Sequence, residues 1–209
     1  MRSNKKDNER RLFEIADNQG GYFTAQQARS AGYYGRLQHY HRETGDWESI
    51  ERGIYRLRNY PHSDREDLIR WSLWSRNRRG EPQAVFSHQT ALAFHDIGDF
   101  NPARIHMTVP PGFRKKISGG CVIHKGVFPE SDIERRAAFK VTTPLRSLFD
   151  AYAAHAEPDL LERAVADSLS RGLLRMDQIL ETKAVGAMAE FLKYVRAVRN
   201  RMAHGVSGV

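Results

Sequence analysis

The order of four short segments in residues 1–60 constrains this chain more than any other feature. Residues 8–18 repeat Leu12, Ile15 and Ala16 at helical spacing and end at Gly20-Gly21. Phe23 to Gly32 reads as a second, shorter helix. Thr24 can cap it by accepting an orphan backbone N–H, Ala25, Ala28 and Ala31 permit close packing, and Gly32 ends it. Tyr33 to Glu43 follows as a third helix and stops at Gly45. Trp47 to Leu57 then alternates as strands do and turns at Arg52-Gly53, where glycine can supply a positive φ. Three helices followed by a hairpin is the plan of a winged helix-turn-helix, which lays one helix in a major groove with a basic ribbon beside it.

That plan assigns roles to side chains. Arg36, Gln38, His39 and Arg42 on the third helix, with Tyr33 and Tyr34 at its start, are candidates for contact with DNA, arginine pairing with guanine and glutamine with adenine. Leu37 and Tyr40 are spaced for the inward face. Thr24, Gln26 and Gln27 stand where the preceding helix can meet phosphates. Arg52, Arg56 and Arg58 place a basic wing on the backbone or minor groove. Glu43, Asp46, Glu48 and Glu51 dilute this patch, and a solvated charged face or a protein-binding winged helix is the competing reading.

The formal net charge of +8 favours a polyanionic partner. Only a surplus of three comes from residues 1–60, so the rest of the chain is basic as well. Cys121 is the single cysteine, which excludes an intrachain disulfide, suits a reducing cytoplasm and reads as a small buried hydrophobe. No apolar run is long enough to span a bilayer, and the N-terminus lacks the apolar core of a signal peptide; a cytoplasmic protein is expected.

Asn59-Tyr60-Pro61-His62-Ser63 reads as a linker, so the expected domains are 1–60, a DNA-binding winged helix-turn-helix, and 61–209. The second begins with an amphipathic helix from Asp64 to Arg76 carrying Leu68, Trp71, Leu73 and Trp74, and a further helix follows Ser87. Arg104 to Val109 alternates as a strand, with Cys121 to His124 a partner for it and Phe139 to Thr142 another strand. Thr143-Pro144 opens a helix, and helices fill the remainder. The fold class is α+β: the winged helix-turn-helix, then a mixed domain with a small sheet surrounded by helices.

Phe23-Thr24-Ala25-Gln26-Gln27-Ala28, Leu37-Gln38-His39-Tyr40 and Gly53-Ile54-Tyr55-Arg56-Leu57 together resemble the AbiEi antitoxin family. Phe86-Ser87-His88-Gln89-Thr90-Ala91-Leu92, Ile105-His106-Met107-Thr108-Val109-Pro110 and Val141-Thr142-Thr143-Pro144-Leu145-Arg146-Ser147-Leu148-Phe149-Asp150 extend the resemblance over roughly residues 8–180. The resemblance implies the antitoxin of a bacterial type IV toxin–antitoxin system. Such a protein binds inverted repeats in its own promoter as an autorepressor, and a C-terminal domain counters a nucleotidyltransferase-like toxin without needing a stable complex. Its partners would be double-stranded promoter DNA and that toxin, with no membrane, no metal and no cofactor. A stand-alone ligand-responsive regulator is the alternative.

Catalytic motifs are weak, and the protein is read as not an enzyme. Gly119-Gly120 does not open a P-loop, and Asp96, Asp99 and Lys115-Lys116 lack the order of a metal nuclease. His39/His41 and His88/His95 lack the companion ligands of a zinc site, and Ser87-His88 has no nucleophile elbow. Arg199 and His204 resemble the R-x4-H motif of HEPN ribonucleases, but the strands upstream oppose the helical bundle such an enzyme needs. Arg146 and Asp150, four apart, read as a structural ion pair on one helix.

Overall fold

The computed structural model describes residues 5–116, 119–181 and 184–205. The chain forms two compact units, Met1–Ala84 with Arg135–Lys140, and Val85–Glu134 with Val141–Val209.

In the first unit, α1 (Lys5–Asp17), β1 (Tyr22–Thr24), α2 (Ala25–Ser30), α3 (Gly35–Glu43), β2 (Trp47–Glu51) and β3 (Ile54–Leu57) appear in that order, followed by α4 (Glu66–Trp74). The short apolar entry Tyr22-Phe23 is itself a strand, and the sheet runs β1-β3-β2 with both pairs antiparallel. Gly53 takes φ +74° at the hairpin turn. Phe23, Trp47, Tyr33 and Tyr55 form an aromatic core with Leu12, Ala16 and Ala28. The Trp47 ring meets the edge of Phe23 at 4.8 Å between centroids, an arrangement that adds to area burial.

This unit does not stop at residue 60. α4 buries Leu68, Ile69, Trp71 and Leu73, packs on β1 and β3, and thereby covers the sheet on the side away from the aromatic core. Ser72 Oγ donates to the Ala138 carbonyl at 2.9 Å, which ties residues 135–140 into the same unit. Neither Ser63 nor Asp64 caps α4; its N-cap is Arg65, without a side-chain hydrogen bond.

The second unit is built on a five-stranded sheet of order β6-β5-β4-β8-β7, from β4 (Val85–Phe86), β5 (Ile105–Val109), β6 (Cys121–Lys125), β7 (Ile133–Arg135) and β8 (Lys140–Thr142). β5 and β6 pair as the sequence suggests, but in parallel, and β4 and β8 are parallel as well. Around it lie α5 (His88–Phe94), α6 (Pro144–Ala153), α7 (Pro158–Ser170), α8 (Met176–Glu181) and α9 (Ala187–Gly205). Thr143 caps α6 through its side chain, with Pro144 in the first turn, as expected. Leu92, Leu148, Val165, Phe191, Val195 and Val198 make the core between helices. The fold is therefore α+β in both units, and no helix among the described residues is long and apolar enough to cross a membrane.

Candidate nucleic-acid interface

The turn before α3 is fixed by hydrogen bonds that consume several residues expected to meet DNA. Thr24 is 2% exposed; its Oγ1 accepts from Gln27 N at 3.2 Å while Gln27 Oε1 accepts from Thr24 N at 2.8 Å. Gln27 Nε2 donates onward to Gln19 Oε1 at 2.9 Å. This reciprocal capping box satisfies orphan donors of α2 and leaves neither side chain aimed at a phosphate. Gln26, in contrast, lies on the surface beside Arg79 and Gly80.

α3 has no buried residue, yet its facing differs from the sequence expectation. Gln38, placed at adenine, turns inward: Nε2 donates to Tyr33 O at 2.7 Å and Ala25 O at 3.0 Å, holding α3 to the turn and to α2. His41 also faces inward, stacked on Trp47 at 5.0 Å with 16° between planes. Its Nδ1 lies 2.8 Å from Asp46 Oδ2. The hydrogen bonds from His41 and Thr44 hold the Asp46 carboxyl below its ordinary range. Tyr33 is a core residue, 5% exposed and edge-on to Trp47, and burial raises its phenol above the ordinary value. Leu37 and Tyr40, expected inside, stand 45% and 57% exposed. The outward surface of α3 thus carries Arg36, Leu37, His39, Tyr40 and Arg42 together with Glu43, which lies 3.9 Å from His39, and Tyr34 is exposed at the N-cap.

Arg56 is the largest correction. It is 1% exposed, because β3 is the central strand and α4 closes its outer side. Its guanidinium donates to Tyr60 O at 2.6 Å and to Glu66 Oε1 at 3.3 Å, with Glu48 Oε2 at 3.8 Å. Burial pushes the Glu66 carboxyl up, but donors from His62, Ser63 and Tyr22 and the Arg56 charge outweigh it and hold it below the ordinary value. Arg56 is thus an internal tie, and the wing is left with Arg52 at the hairpin turn and Arg58, both exposed. Arg58 packs its guanidinium over Gly45 close to Asp46.

The second unit gathers histidines that the sequence scatters. His88, His106 and His124 come together where β4 ends and α5 begins: His88 and His124 stack at 3.6 Å, and His106 Nδ1 lies 3.2 Å from His124 Nε2. His88 has φ +54°, a conformation costly for a residue with a Cβ. Its Nδ1 hydrogen-bonds Ser87 Oγ at 2.9 Å, and Ser87 Oγ shares a proton contact with Thr108 at 2.8 Å, so Ser87 serves this network rather than capping α5. Below the rings Asp150, 5% exposed, pairs with Arg146 Nε at 2.8 Å, and Arg146 reaches Asp132 at 3.2 Å. The expected Arg146–Asp150 pair is thus present, but one Asp150 oxygen is buried with no hydrogen-bond partner. Among the described residues no three His, Cys, Asp or Glu side chains converge on one metal position.

Burial, reinforced by the neighbouring His124, His106 and Arg146 charges, pushes His88 down to about 3. Burial also lowers His106 and His124, the latter with help from His106. Burial raises Asp150 to about 6 against the pull of Arg146. A lowered histidine contributes stability above its unfolded value near 6.5 that is lost as pH falls toward its folded value. Asp150 acts oppositely, contributing stability below about 4 that disappears as pH rises through about 6. Three histidines outweigh one aspartate, so the urea midpoint of the protein is expected to fall between pH 7.5 and 5. His88→Asn, which tolerates positive φ and cannot titrate, should flatten that dependence. A midpoint that rises on acidification would contradict the assignment.

Arg199 and His204 lie on α9, with His204 Nδ1 bonded to Asn200 O at 2.6 Å. Their unit contains the five-stranded sheet, so they do not sit in an all-helical bundle.

In fold, the chain is similar to a crystal structure of the RV2827C protein from Mycobacterium tuberculosis, at TM-score 0.52 and 16% identity, covering 95% of this chain and 78% of that one. No curated protein matches. Residues 10–58, from α1 through β3, match the family model described as transcriptional regulator, AbiEi antitoxin, so that this segment is similar to that family.

Proposed function

We propose that the protein is a DNA-binding antitoxin that represses its own promoter, with α3 as the recognition helix. The observation that carries this reading is α3 itself: a helix with no buried residue, held to its own unit by inward Gln38 and His41, and carrying Arg36, His39 and Arg42 outward within the matched segment. In this reading Arg36, His39 and Arg42 face base edges. Gln26, Tyr34, Arg52 and Arg58 meet the backbone. Thr24, Gln27, Tyr33, Gln38 and Arg56 support the surface from within. The second unit, Val85–Glu134 with Val141–Val209, supplies the activity that counters a nucleotidyltransferase-like toxin of a type IV system.

Gel retardation on the DNA upstream of the protein's own gene, at a series of salt concentrations, tests it. Arg52→Ala and Arg58→Ala are each expected to weaken binding to all duplexes alike and to reduce the slope of log K against log salt by about one. Failure to retard that DNA at low salt would remove the repressor assignment. Co-expression with the product of an adjoining nucleotidyltransferase-like gene tests the antitoxin half, with restored growth as the expected result.

The buried Asp150 oxygen, without a hydrogen bond and 4.0 Å from His88 Nδ1, favours a second reading, a ligand-responsive regulator. Absence of any adjoining toxin gene, together with operator release by a small molecule, would select it.

A further inference from the structure

The recognition helix displays apolar groups where a merely solvated helix would carry charge. Tyr34, Leu37 and Tyr40 follow one another at spacings of three, and are 67%, 45% and 57% exposed. These are three of the few large hydrophobic side chains that stand open to solvent among the described residues, and they gather on one seven-residue stretch. The helix is not short of inward apolar positions by accident: Gln38 and His41 occupy its inner side and are satisfied there by backbone carbonyls and by the Trp47 ring. Leu37 and Tyr40 are thereby turned to the surface that also bears Arg36, His39 and Arg42.

In a major groove the apolar group that a side chain can meet is the C5-methyl of thymine; the remaining features at the base edges are hydrogen-bond donors and acceptors. Arg36 and Arg42, exposed on the same helix, can meet the phosphates that wall that groove. We propose that Leu37 and Tyr40 are specificity residues that pack on thymine methyl groups, so that the operator carries thymines at the positions facing the middle of α3. This rests on the reading of α3 as the recognition helix, and it adds to that reading a base preference carried by apolar contact.

The experiment uses the full-length protein. Duplexes are enriched from a random library by repeated binding, and the enriched site is then synthesised with deoxyuridine replacing thymidine at single positions, which removes one methyl and leaves the pairing edge intact. At one or two positions the wild type is expected to bind about three- to fourfold more weakly, the worth of one buried methyl. Leu37→Ala and Tyr40→Ala, both changes at exposed positions, should bind the thymidine duplex more weakly and lose the discrimination against deoxyuridine, each at its own position. That non-additivity is the signature of direct contact.

A wild type that enriches a specific site and binds thymidine and deoxyuridine duplexes equally overturns the methyl assignment while leaving the recognition helix in place. A protein that enriches no site overturns the recognition helix itself. Variants that bind DNA unchanged but alter the sedimentation of the free protein would make the ridge an interface between copies of the chain, and would also overturn the assignment.

Discussion

Arg56→Ala is expected to destabilise the first unit by about 3 kcal/mol, the scale for removing one partner of a buried ion pair. Two things are lost at once. The Tyr60 carbonyl loses a 2.6 Å charge-assisted hydrogen bond, and Glu66 and Glu48 lose the cation that balances them. Arg56→Met retains an apolar stem of similar reach and should recover part of the packing but none of the charge balance. Urea denaturation with and without DNA checks this. Both variants should unfold at lower denaturant, while the fraction that remains folded keeps the salt slope of the wild type, because Arg56 is 1% exposed and contacts no solvent-facing ligand. A changed salt slope with unchanged stability would return Arg56 to the wing surface.

Arg36→Ala is the complementary case. The side chain is exposed on a helix with no buried residue, so stability should stay within about 0.5 kcal/mol of the wild type. Site-specific affinity should fall by about 1–3 kcal/mol, the range for a bidentate contact with guanine, and discrimination at one base pair should relax. Gln38→Ala is expected to behave differently from Arg36→Ala although the two residues are neighbours on α3. It removes the donor shared by the Ala25 and Tyr33 carbonyls and so loosens the helix-turn-helix itself. A titration of both variants against one enriched duplex, paired with thermal melts, separates reading from support. Loss of specificity in Gln38→Ala with no drop in melting temperature would place Gln38 at a base after all.

The backbone plan was legible because its punctuation is local. Gly20-Gly21, Gly32, Gly45 and Gly53 all take positive φ, and each stands where one segment ends or turns. Side-chain direction was less legible. Apolar spacing placed Leu37 and Tyr40 inside, yet polar Gln38 and His41 fill the inner side, since carbonyls and an indole face there rather than aliphatic groups. Arg56 reads as a wing cation until α4 is known to close the central strand, a contact between segments that periodicity within either one does not encode. The histidine cluster is hidden for a similar reason: it joins α5, β5 and β6, and parallel pairing of β5 with β6 sets His124 beside Thr108 and diagonal to His106.

The tie between Ser72 and Ala138 bears on how the protein is made. Because Arg135–Lys140 belongs to the first unit, the polypeptide leaves that unit at Ala84, forms fifty residues of the second, and returns before finishing it. A ribosome that has released residues 1–84 has not yet delivered everything the winged helix's compact unit contains. That unit is therefore complete only once residues 135–140 have emerged. A nascent chain stalled before residue 135 would leave the Ser72 hydroxyl without its carbonyl.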